Sequence, residues 1–351
     1  LQSRGLGDVY KRQRYKWVSS NPEVATVDEK TGLVTGISKG DATITVTAND
    51  FSSTPVSASC KIGVKIVTPI TGMTFTEDKE LNQLGYGQEY QIKYTLEPVD
   101  ATASLLTWTS DNPDMISVDK TGKLKVHTTK TASAVITASY GPVVQNVTVT
   151  VADGRFWYSL GNGLGNGQDN NWYLDGNGAS VVSSDGKKTI VQMGSGYRGD
   201  LWLARSGKGK VVNVTPADYR YFAIKVGFKS QLVPGKNKPN GCIKLEIFDD
   251  GIKKIGPEYF GTGGDANNRY EILGASEIST TEPNVLYYDL QSKYKTVTPT
   301  DWNQVFDLAQ CKFVIADFPE TAQTYDLYWI RSFKSVEELQ AFVDSENNTN
   351  E

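Results

Sequence analysis

The fold of the amino-terminal half is decided by a stretch that occurs twice: Trp17-Val-Ser-Ser-Asn-Pro-Glu-Val-Ala-Thr-Val-Asp28 and Trp108-Thr-Ser-Asp-Asn-Pro-Asp-Met-Ile-Ser-Val-Asp119. Each copy is followed by Lys-Thr-Gly and then by a segment of alternating apolar and polar residues, at 42–46 and at 134–138. Period-two alternation bounded by Asn-Pro and Thr-Gly turns predicts antiparallel strands. The chain therefore contains two copies of one β-module.

The repeated pattern resembles the group 2 bacterial immunoglobulin-like (Ig-like) domain. The resemblance rests on the tryptophan, the Ser-Asn-Pro turn, the Val-Asp pair and the Gly-Leu-Val-Thr-Gly segment from Gly32 to Gly36. In the second copy Lys123–Val126 replaces that last segment, so this copy is more diverged, although its framing turns remain. The resemblance implies a β-sandwich for each copy.

The two copies differ in how many residues precede the tryptophan. Residues 68–152 are interpreted as a second Ig-like domain, because strand-like segments at 73–76 and 90–94 come before Trp108. Residues 14–67 are interpreted as a partial Ig-like domain whose opening strands are expected upstream. Residues 1–13 show no strand pattern and are interpreted as a non-native leader.

The remaining residues predict a larger β-sandwich at 153–345, after a linker at Ala152-Asp-Gly154. Alternation is clear at 221–228, 242–247, 286–290, 312–316 and 325–330, which predicts a two-sheet sandwich of jelly-roll type. Ser335 and Glu338 have the spacing of a capping box, which predicts a short helix closing the domain near Phe342. Residues 346–351 are interpreted as a disordered tail. The predicted fold class is all-β throughout.

The end of this domain carries a second resemblance. Tyr-Asp-Leu-Tyr-Trp-Ile-Arg-Ser-Phe at 325–333, followed by Ser-Val-Glu-Glu-Leu, is similar to the carboxyl-terminal domain of surface glycan-binding proteins from Bacteroidetes polysaccharide-utilisation systems. The resemblance implies a carbohydrate-binding-module sandwich whose partner is a plant cell-wall polysaccharide, with xylan the leading choice. It also implies a cell-surface outer-membrane lipoprotein, anchored through a segment outside this sequence.

The first group of candidate binding residues lies at 197–203, Tyr-Arg-Gly-Asp-Leu-Trp-Leu. Strand alternation places Leu201 and Leu203 on one face and Arg198, Asp200 and Trp202 on the other. A tryptophan beside charged groups suits a sugar ring, whose C–H groups pack on the indole while its hydroxyls bond the charges. The alternative is a solvent-facing ion pair with Trp202 covered by a loop.

A second group of candidates ends the Gly-Asn-rich segment 161–173, where Trp172 and Tyr173 follow a long loop. The alternative for Trp172 is that it anchors this loop to the core. A polar loop at 261–270 is a weaker candidate, for which a plain connection is the better interpretation. Trp157, Trp302 and Trp329 have apolar neighbours or strand-end positions and are predicted to pack in the core.

Composition and missing motifs narrow the function. The net charge of -4 gives no broad attraction to nucleic acid, and no apolar run is long enough for a spanning helix. His127 is the sole histidine and lies outside the carboxyl-terminal domain, so histidine-based triads and metal hydrolysis are unavailable there. No catalytic residues, metal ligands or cofactor are predicted, although a structural calcium between loops stays open. The prediction is a non-catalytic glycan-binding protein; the alternatives are a glycosidase using paired carboxylates and an adhesin with an Ig-like stalk.

Overall fold

A computed structural model of the chain describes residues 14–49, 54–167, 171–175, 178–194, 199–204, 212–229, 242–249, 270–291, 302–316 and 324–348. Short 3-10 helices cover Lys79–Asn82 and Ala103–Leu105, and one α-helix, α1, covers Val336–Asn348. The strands are β1 (Arg14–Ser19), β2 (Ala25–Val27), β3 (Val34–Gly36), β4 (Gly40–Asn49), β5 (Ser57–Val64), β6 (Gly72–Phe75), β7 (Leu84–Tyr86), β8 (Glu89–Gln91), β9 (Tyr94–Glu97), β10 (Thr107–Ser110), β11 (Ile116–Val118), β12 (Lys123–Val126), β13 (Ala132–Tyr140), β14 (Val143–Ser159), β15 (Tyr173–Asp175), β16 (Ser180–Ser184), β17 (Thr189–Gln192), β18 (Asp200–Ala204), β19 (Val212–Val214), β20 (Tyr221–Phe228), β21 (Cys242–Asp249), β22 (Glu271–Ile272), β23 (Asn284–Asp289), β24 (Phe306–Ala316) and β25 (Thr324–Phe333). The all-β fold class is confirmed.

The chain forms two compact units, the first drawn from Leu1–Gly72 and Leu96–Thr102 and the second from Met73–Thr95 and Ala103–Glu351. In the first unit, β1, β4 and β5 form a three-stranded antiparallel sheet, and β2 pairs with β3. Its buried apolar cluster is small, consisting of Val24, Ala25 and Ala42 with Ile62 and Val64 packed against them. Few apolar side chains are therefore buried together among the described residues of this module.

An aspartate organises the Lys-Thr-Gly turn in both modules, as Asp28-Glu-Lys-Thr-Gly32 in the first and as Asp119-Lys-Thr-Gly122 in the second. The Asp28 carboxylate accepts hydrogen bonds from the backbone and hydroxyl of Thr31, and Asp119 does the same with Thr121. These bonds favour the ionised carboxylate and lower the pKa of Asp28. Gly32 has φ +73°, and a Cβ there would lie 2.7 Å from the Trp17 ring. The turn therefore needs glycine because of its backbone conformation and the packed tryptophan.

Most of the second Ig-like module belongs to the second unit. Its sheets are β10-β13-β14 and β11-β12-β8, and β6 pairs with β9. Trp108 packs between Phe75 and Tyr94, with ring centroids 5.8 and 5.5 Å away. Residues ahead of the tryptophan therefore contribute to this module's core.

The carboxyl-terminal part is a two-sheet sandwich, as predicted. The larger sheet continues from β14 through β25, β20, β23 and β22, with β17 and β16 joining at β25. In the smaller sheet β24 pairs with β18, β19 and β21, and β15 pairs with β18. The two sheets enclose one apolar core, in which Phe222, Phe313 and Ile330 are fully buried.

The interpretation of residues 152–154 as a linker is wrong. They lie inside β14, a single strand that pairs with β13 over Val143–Val151 and with β25 over Trp157–Ser159. β7 of the Ig-like module also runs parallel to β14 across this junction. The second module and the sandwich are thus joined through a shared strand rather than through a flexible connection.

Helix α1 packs on the outer face of the larger sheet. The predicted cap is present, because Ser335 Oγ accepts a hydrogen bond from the Glu338 amide at 3.2 Å and Glu338 accepts from the Lys334 amide at 2.7 Å. The helix continues beyond Phe342 to Asn348. Residues 346–348, interpreted from sequence as the start of a disordered tail, are therefore helical. Glu346 accepts hydrogen bonds from Lys225 and Trp329, both at 3.1 Å. No helix among the described residues is long and apolar enough to cross a membrane.

Candidate functional site

The outer face of the smaller sheet lies on the side opposite the core, and several of its described side chains are buried. β18 enters this sheet with Leu201 and Leu203 fully buried in the core, as alternation predicted. Trp202 points away from the core and is partly exposed. Its neighbours across the sheet are Tyr173 on β15 and Lys312 on β24. The next residue in the same row is Glu246 on β21, which pairs with Lys312.

In this row, Trp202, Lys312 and Glu246 are held together by direct contacts. With Gln310, which bonds to Glu246, they form what we name the Trp202 patch: Trp202, Glu246, Gln310 and Lys312. The Lys312 ammonium lies 4.4 Å from the centroid of the Trp202 ring and 2.8 Å from Glu246 Oε2. Gln310 Nε2 donates a hydrogen bond to the same oxygen at 3.2 Å. The cation–π contact and the ion pair together fix how the indole stands on the sheet.

Burial of the charged pair distinguishes this patch from an ordinary solvated surface. The side chains of Glu246 and Lys312 are each 11% exposed, although both point away from the core. Charged groups are seldom buried to this extent unless paired, and here each neutralises the other. The result is a preorganised polar surface next to a partly exposed aromatic ring.

Asp200 lies on the same outer face as Trp202 but is 4% exposed. Asp200 is predicted to bind sugar hydroxyls, and its burial leaves little of the side chain accessible to them. Its negative charge contributes, after burial, to raising the pKa of Tyr325 well above the usual value. Arg198, the third member of the predicted face, lies outside the described residues.

Trp172 is a core residue, and the expectation that it stacks on a sugar is wrong. Its side chain is fully buried, with its ring 5.7 Å from that of Phe313. The Gly-Asn-rich segment folds back on this strand, since Gly165 donates a backbone hydrogen bond to the Trp172 carbonyl at 2.6 Å. The alternative interpretation, a tryptophan anchoring its loop to the core, describes the structure.

Tyr173 occupies the row of the Trp202 patch but is also buried. A Cβ at Gly167, which has φ +82°, would lie 3.3 Å from the Tyr173 ring, so the glycine loop covers this aromatic closely. Stacking of a sugar on Tyr173 is therefore excluded in this conformation. The weaker candidate loop at 261–270 lies outside the described residues except for Tyr270.

Sequence reasoning missed Lys312 and Gln310, which contact the other members of the Trp202 patch. Alternation in β24 places Phe313 and Ile315 in the core, so Lys312 and Gln310 could be assigned outward from sequence. What sequence did not supply is the register that sets Lys312 between Trp202 and Glu246. Trp329 is buried and Trp157 and Trp302 are partly buried against apolar clusters, consistent with their predicted packing role. Among the described residues, no group of three or more His, Cys, Asp or Glu side chains could hold a metal ion.

Fold and patch together define a class of protein, an Ig-like repeat protein ending in a β-sandwich with an aromatic and charged sheet face. The sandwich also identifies the family: residues 160–339, more than half of the chain, match a domain of unknown function, DUF4979, and the chain belongs to that family. Residues 7–58 match the bacterial Ig-like domain (group 2), which confirms the resemblance of the first module. That match begins inside the stretch 1–13 interpreted as a leader.

This chain spans only part of the length of the proteins to which it is similar. An uncharacterised protein of Clostridium acetobutylicum is 30% identical over 123 residues, which is 35% of this chain and 12% of that protein. Domains 4 and 5 of the S-layer protein SbsC are 25% identical, covering 40% of this chain and 70% of theirs, with a TM-score of 0.18. The M60 catalytic domain with CBM51-1 and CBM51-2 from Clostridium perfringens ZmpB is 11% identical, covering 92% of this chain and 28% of its own, with a TM-score of 0.23. These TM-scores are too low for the likeness to bear on function.

Proposed function

We propose that this chain is a non-catalytic glycan-binding protein in which the Trp202 patch holds a polysaccharide. The observation that carries the proposal is the row in which a partly exposed tryptophan adjoins a largely buried Glu246–Lys312 ion pair on a sheet face turned away from the core. The indole offers a flat apolar surface for sugar C–H groups, and the paired charges offer donors and acceptors for hydroxyls.

The fixed geometry of the patch favours binding. Lys312 packs on the indole and is itself held by Glu246, so Trp202 loses little conformational freedom when a ligand arrives. Preorganisation of this kind improves affinity by lowering the entropic cost of association. The same arrangement recognises ring faces and hydroxyls rather than one particular sugar.

The finer parts of the proposal concern the ligand and the location. The resemblance of residues 325–339 to surface glycan-binding proteins supports a plant cell-wall polysaccharide, with xylan first among those to test. The Ig-like domain at 7–58 supports an extracellular or cell-surface location. Attachment as an outer-membrane lipoprotein is proposed from the resemblance of residues 325–339 alone. In this arrangement the Ig-like modules are spacers and the sandwich makes the contact with glycan.

Affinity electrophoresis of the full chain tests the proposal. Wild type should be retarded in gels containing xylan, mixed-linkage glucan or mannan, and Trp202→Ala should bind that glycan about tenfold or more weakly because the stacking surface is gone. Tyr15→Ala, which removes an exposed aromatic from the first module, is the matched control and should migrate like wild type.

Three results would overturn the proposal. If wild type is unretarded by every glycan, the patch is not a glycan site. If purified protein releases reducing sugar from any of them, the chain is a glycosidase rather than a binding protein. Retardation that is equal in wild type and Trp202→Ala would place the glycan elsewhere on the chain.

A further inference from the structure

The outer face of the larger sheet carries a second polar and aromatic surface, which we name the Asp326 patch: Lys188, Gly227, Lys229, Asp326 and Tyr328. Asp326 lies between Ile190 of β17 and Gly227 of β20, its partners on the two flanking strands. Its neighbours Tyr325 and Leu327 are fully buried in the core, so the Asp326 side chain points outward.

A bulge in β25 brings an aromatic ring to this patch. The pairing of β20 with β25 shifts between Lys225 and Val226, which leaves Tyr328 as an extra residue in its strand. Tyr328 and Trp329 consequently both pack against the apolar cluster beneath α1, although they are adjacent in sequence. Bulges re-aim side chains in this way and are frequent beside functional sites. Tyr328 stays partly exposed next to the acidic group.

A side chain at Gly227 would lie in contact with Tyr328 and Asp326. A Cβ at Gly227 would lie 3.4 Å from Asp326 Cβ and 3.7 Å from Tyr328 Cε2, which are ordinary contact distances. The fold at this point therefore accepts a side chain, yet the strand carries the residue that stabilises strands least. Glycine inside a strand often marks a place where a ligand approaches closely.

The Asp326 carboxylate is incompletely satisfied. It is 2% exposed, and its Oδ2 accepts from Lys188 Nζ at 2.7 Å and from Lys229 Nζ at 3.2 Å. Its Oδ1 is buried and has no hydrogen-bond partner among the described residues. A buried acceptor of this kind is uncommon and favourable to fill. The two ammonium groups keep further donors for a ligand.

We propose that the Asp326 patch is a second glycan-binding surface that takes a neutral sugar with vicinal hydroxyls. One hydroxyl donates to Asp326 Oδ1, its neighbour accepts from Lys188 or Lys229, and the ring lies over Gly227 against Tyr328. A simple anion would meet Asp326, and a simple cation would meet both lysines, whereas hydroxyls both donate and accept. The sugar class rests on the proposed function.

The two patches lie on the outer faces of the two opposed sheets, so they are separate sites on one sandwich. Each can engage a different chain, or a different stretch, of the same polysaccharide. Two weak sites on a rigid body then give an avidity that neither has alone. The first module is not needed for this effect.

The test uses the full chain and xylohexaose, cellohexaose and mannohexaose as separate probes in isothermal titration calorimetry. For the hexasaccharide that binds, wild type should take two molecules per chain. Gly227→Val places a side chain where the sugar ring would lie, without removing any contact, and should take one, as should Tyr328→Ala. Trp202→Ala should also take one, and Trp202→Ala combined with Gly227→Val should bind about tenfold or more weakly, or not at all. Thermal unfolding checks that each variant is folded.

The outcomes separate this inference from the proposed function. One molecule per wild-type chain, lost in Trp202→Ala and retained in Gly227→Val, overturns the second surface and leaves the proposed function standing. Binding lost in Gly227→Val and unchanged in Trp202→Ala supports the second surface and removes the role of the Trp202 patch. No binding by wild type to any of the three sugars overturns both.

Discussion

At the scale of single residues, the Glu246–Lys312 pair places two charges where little water reaches them. Both side chains are nearly removed from water, and each charge faces its opposite charge, with Gln310 donating a further hydrogen bond to Glu246. Removing one charge leaves the other buried without its opposite charge, whereas removing both leaves no buried charge in the pair. The pair should therefore show strong coupling in stability.

We predict that Glu246→Gln and Lys312→Met each lower the free energy of unfolding by about 3 kcal/mol and that the double variant loses less than either single one. Urea denaturation of the four proteins gives the coupling energy directly. Lys130→Met is the matched control, because its ion pair with Asp307 is about half exposed and should contribute under about 1 kcal/mol. Additive effects of the two substitutions would show that burial does not couple these charges.

Residue-scale prediction worked where strand alternation applied and failed where it did not. Leu201 and Leu203 face the core and Trp202 faces away, because a strand offers only two faces. Trp172 follows a glycine-rich loop with no alternation to orient it. Composition alone therefore predicted a sugar-binding residue, whereas Trp172 is in the core. Lys312 was missed because its partners come from strands distant in sequence, and pairing register is not contained in local pattern.

At the scale of elements, the cap of α1 fixes where the chain leaves the sheet. The Ser335 hydroxyl satisfies the Glu338 amide, one of the donors that a helix start leaves unbonded. One turn later Leu339 is fully buried against the sheet, so fraying of the first turn would expose apolar surface. Local capping and tertiary docking are therefore linked.

We predict that Ser335→Ala lowers the free energy of unfolding by about 1 kcal/mol, the usual effect of losing such a cap. Ser345→Ala in the same helix is the control: alanine is the better helix former there, so stability should stay within about 0.5 kcal/mol of wild type. Urea unfolding followed by tryptophan fluorescence measures both. Equal stability of the two variants would mean that docking, and not the cap, holds the helix start.

The strands and helix of the sandwich were largely predictable, but the junction before them was not. The segments 221–228 and 325–330 alternate strongly and became β20 and most of β25. Ala152-Asp-Gly154 has the composition of a loop, and tertiary pairing overrides that composition inside β14. The backbone of this stretch is bonded by neighbouring residues: Gly154 donates to the Thr129 carbonyl, and the carbonyls of Asp153 and Gly154 accept from the hydroxyls of Thr215 and Ser332.

At the scale of the whole molecule, the second Ig-like module and the sandwich share more than a strand. Tyr86 of β7 is buried in the sandwich core, with its ring 5.7 Å from Phe156 and 5.9 Å from Tyr158. Arg155 is nearly buried and donates to Glu80 Oε1 at 2.7 Å, joining the module's 3-10 helix to β14. Side chains of one module thus complete the packing of the other.

We predict that these two parts unfold as one cooperative unit. Tyr86→Ala opens a cavity at their junction and should lower the free energy of unfolding by about 3 kcal/mol. In a native-state hydrogen-exchange experiment, protection should fall by similar amounts in β13 of the module and β20 of the sandwich, because global opening exposes both. Tyr15→Ala, at an exposed site in the other compact unit, should leave both strands unchanged. Loss of protection in β20 alone would mean that β14 connects two independently folding domains, and the Ig-like module could then be removed without weakening the sandwich.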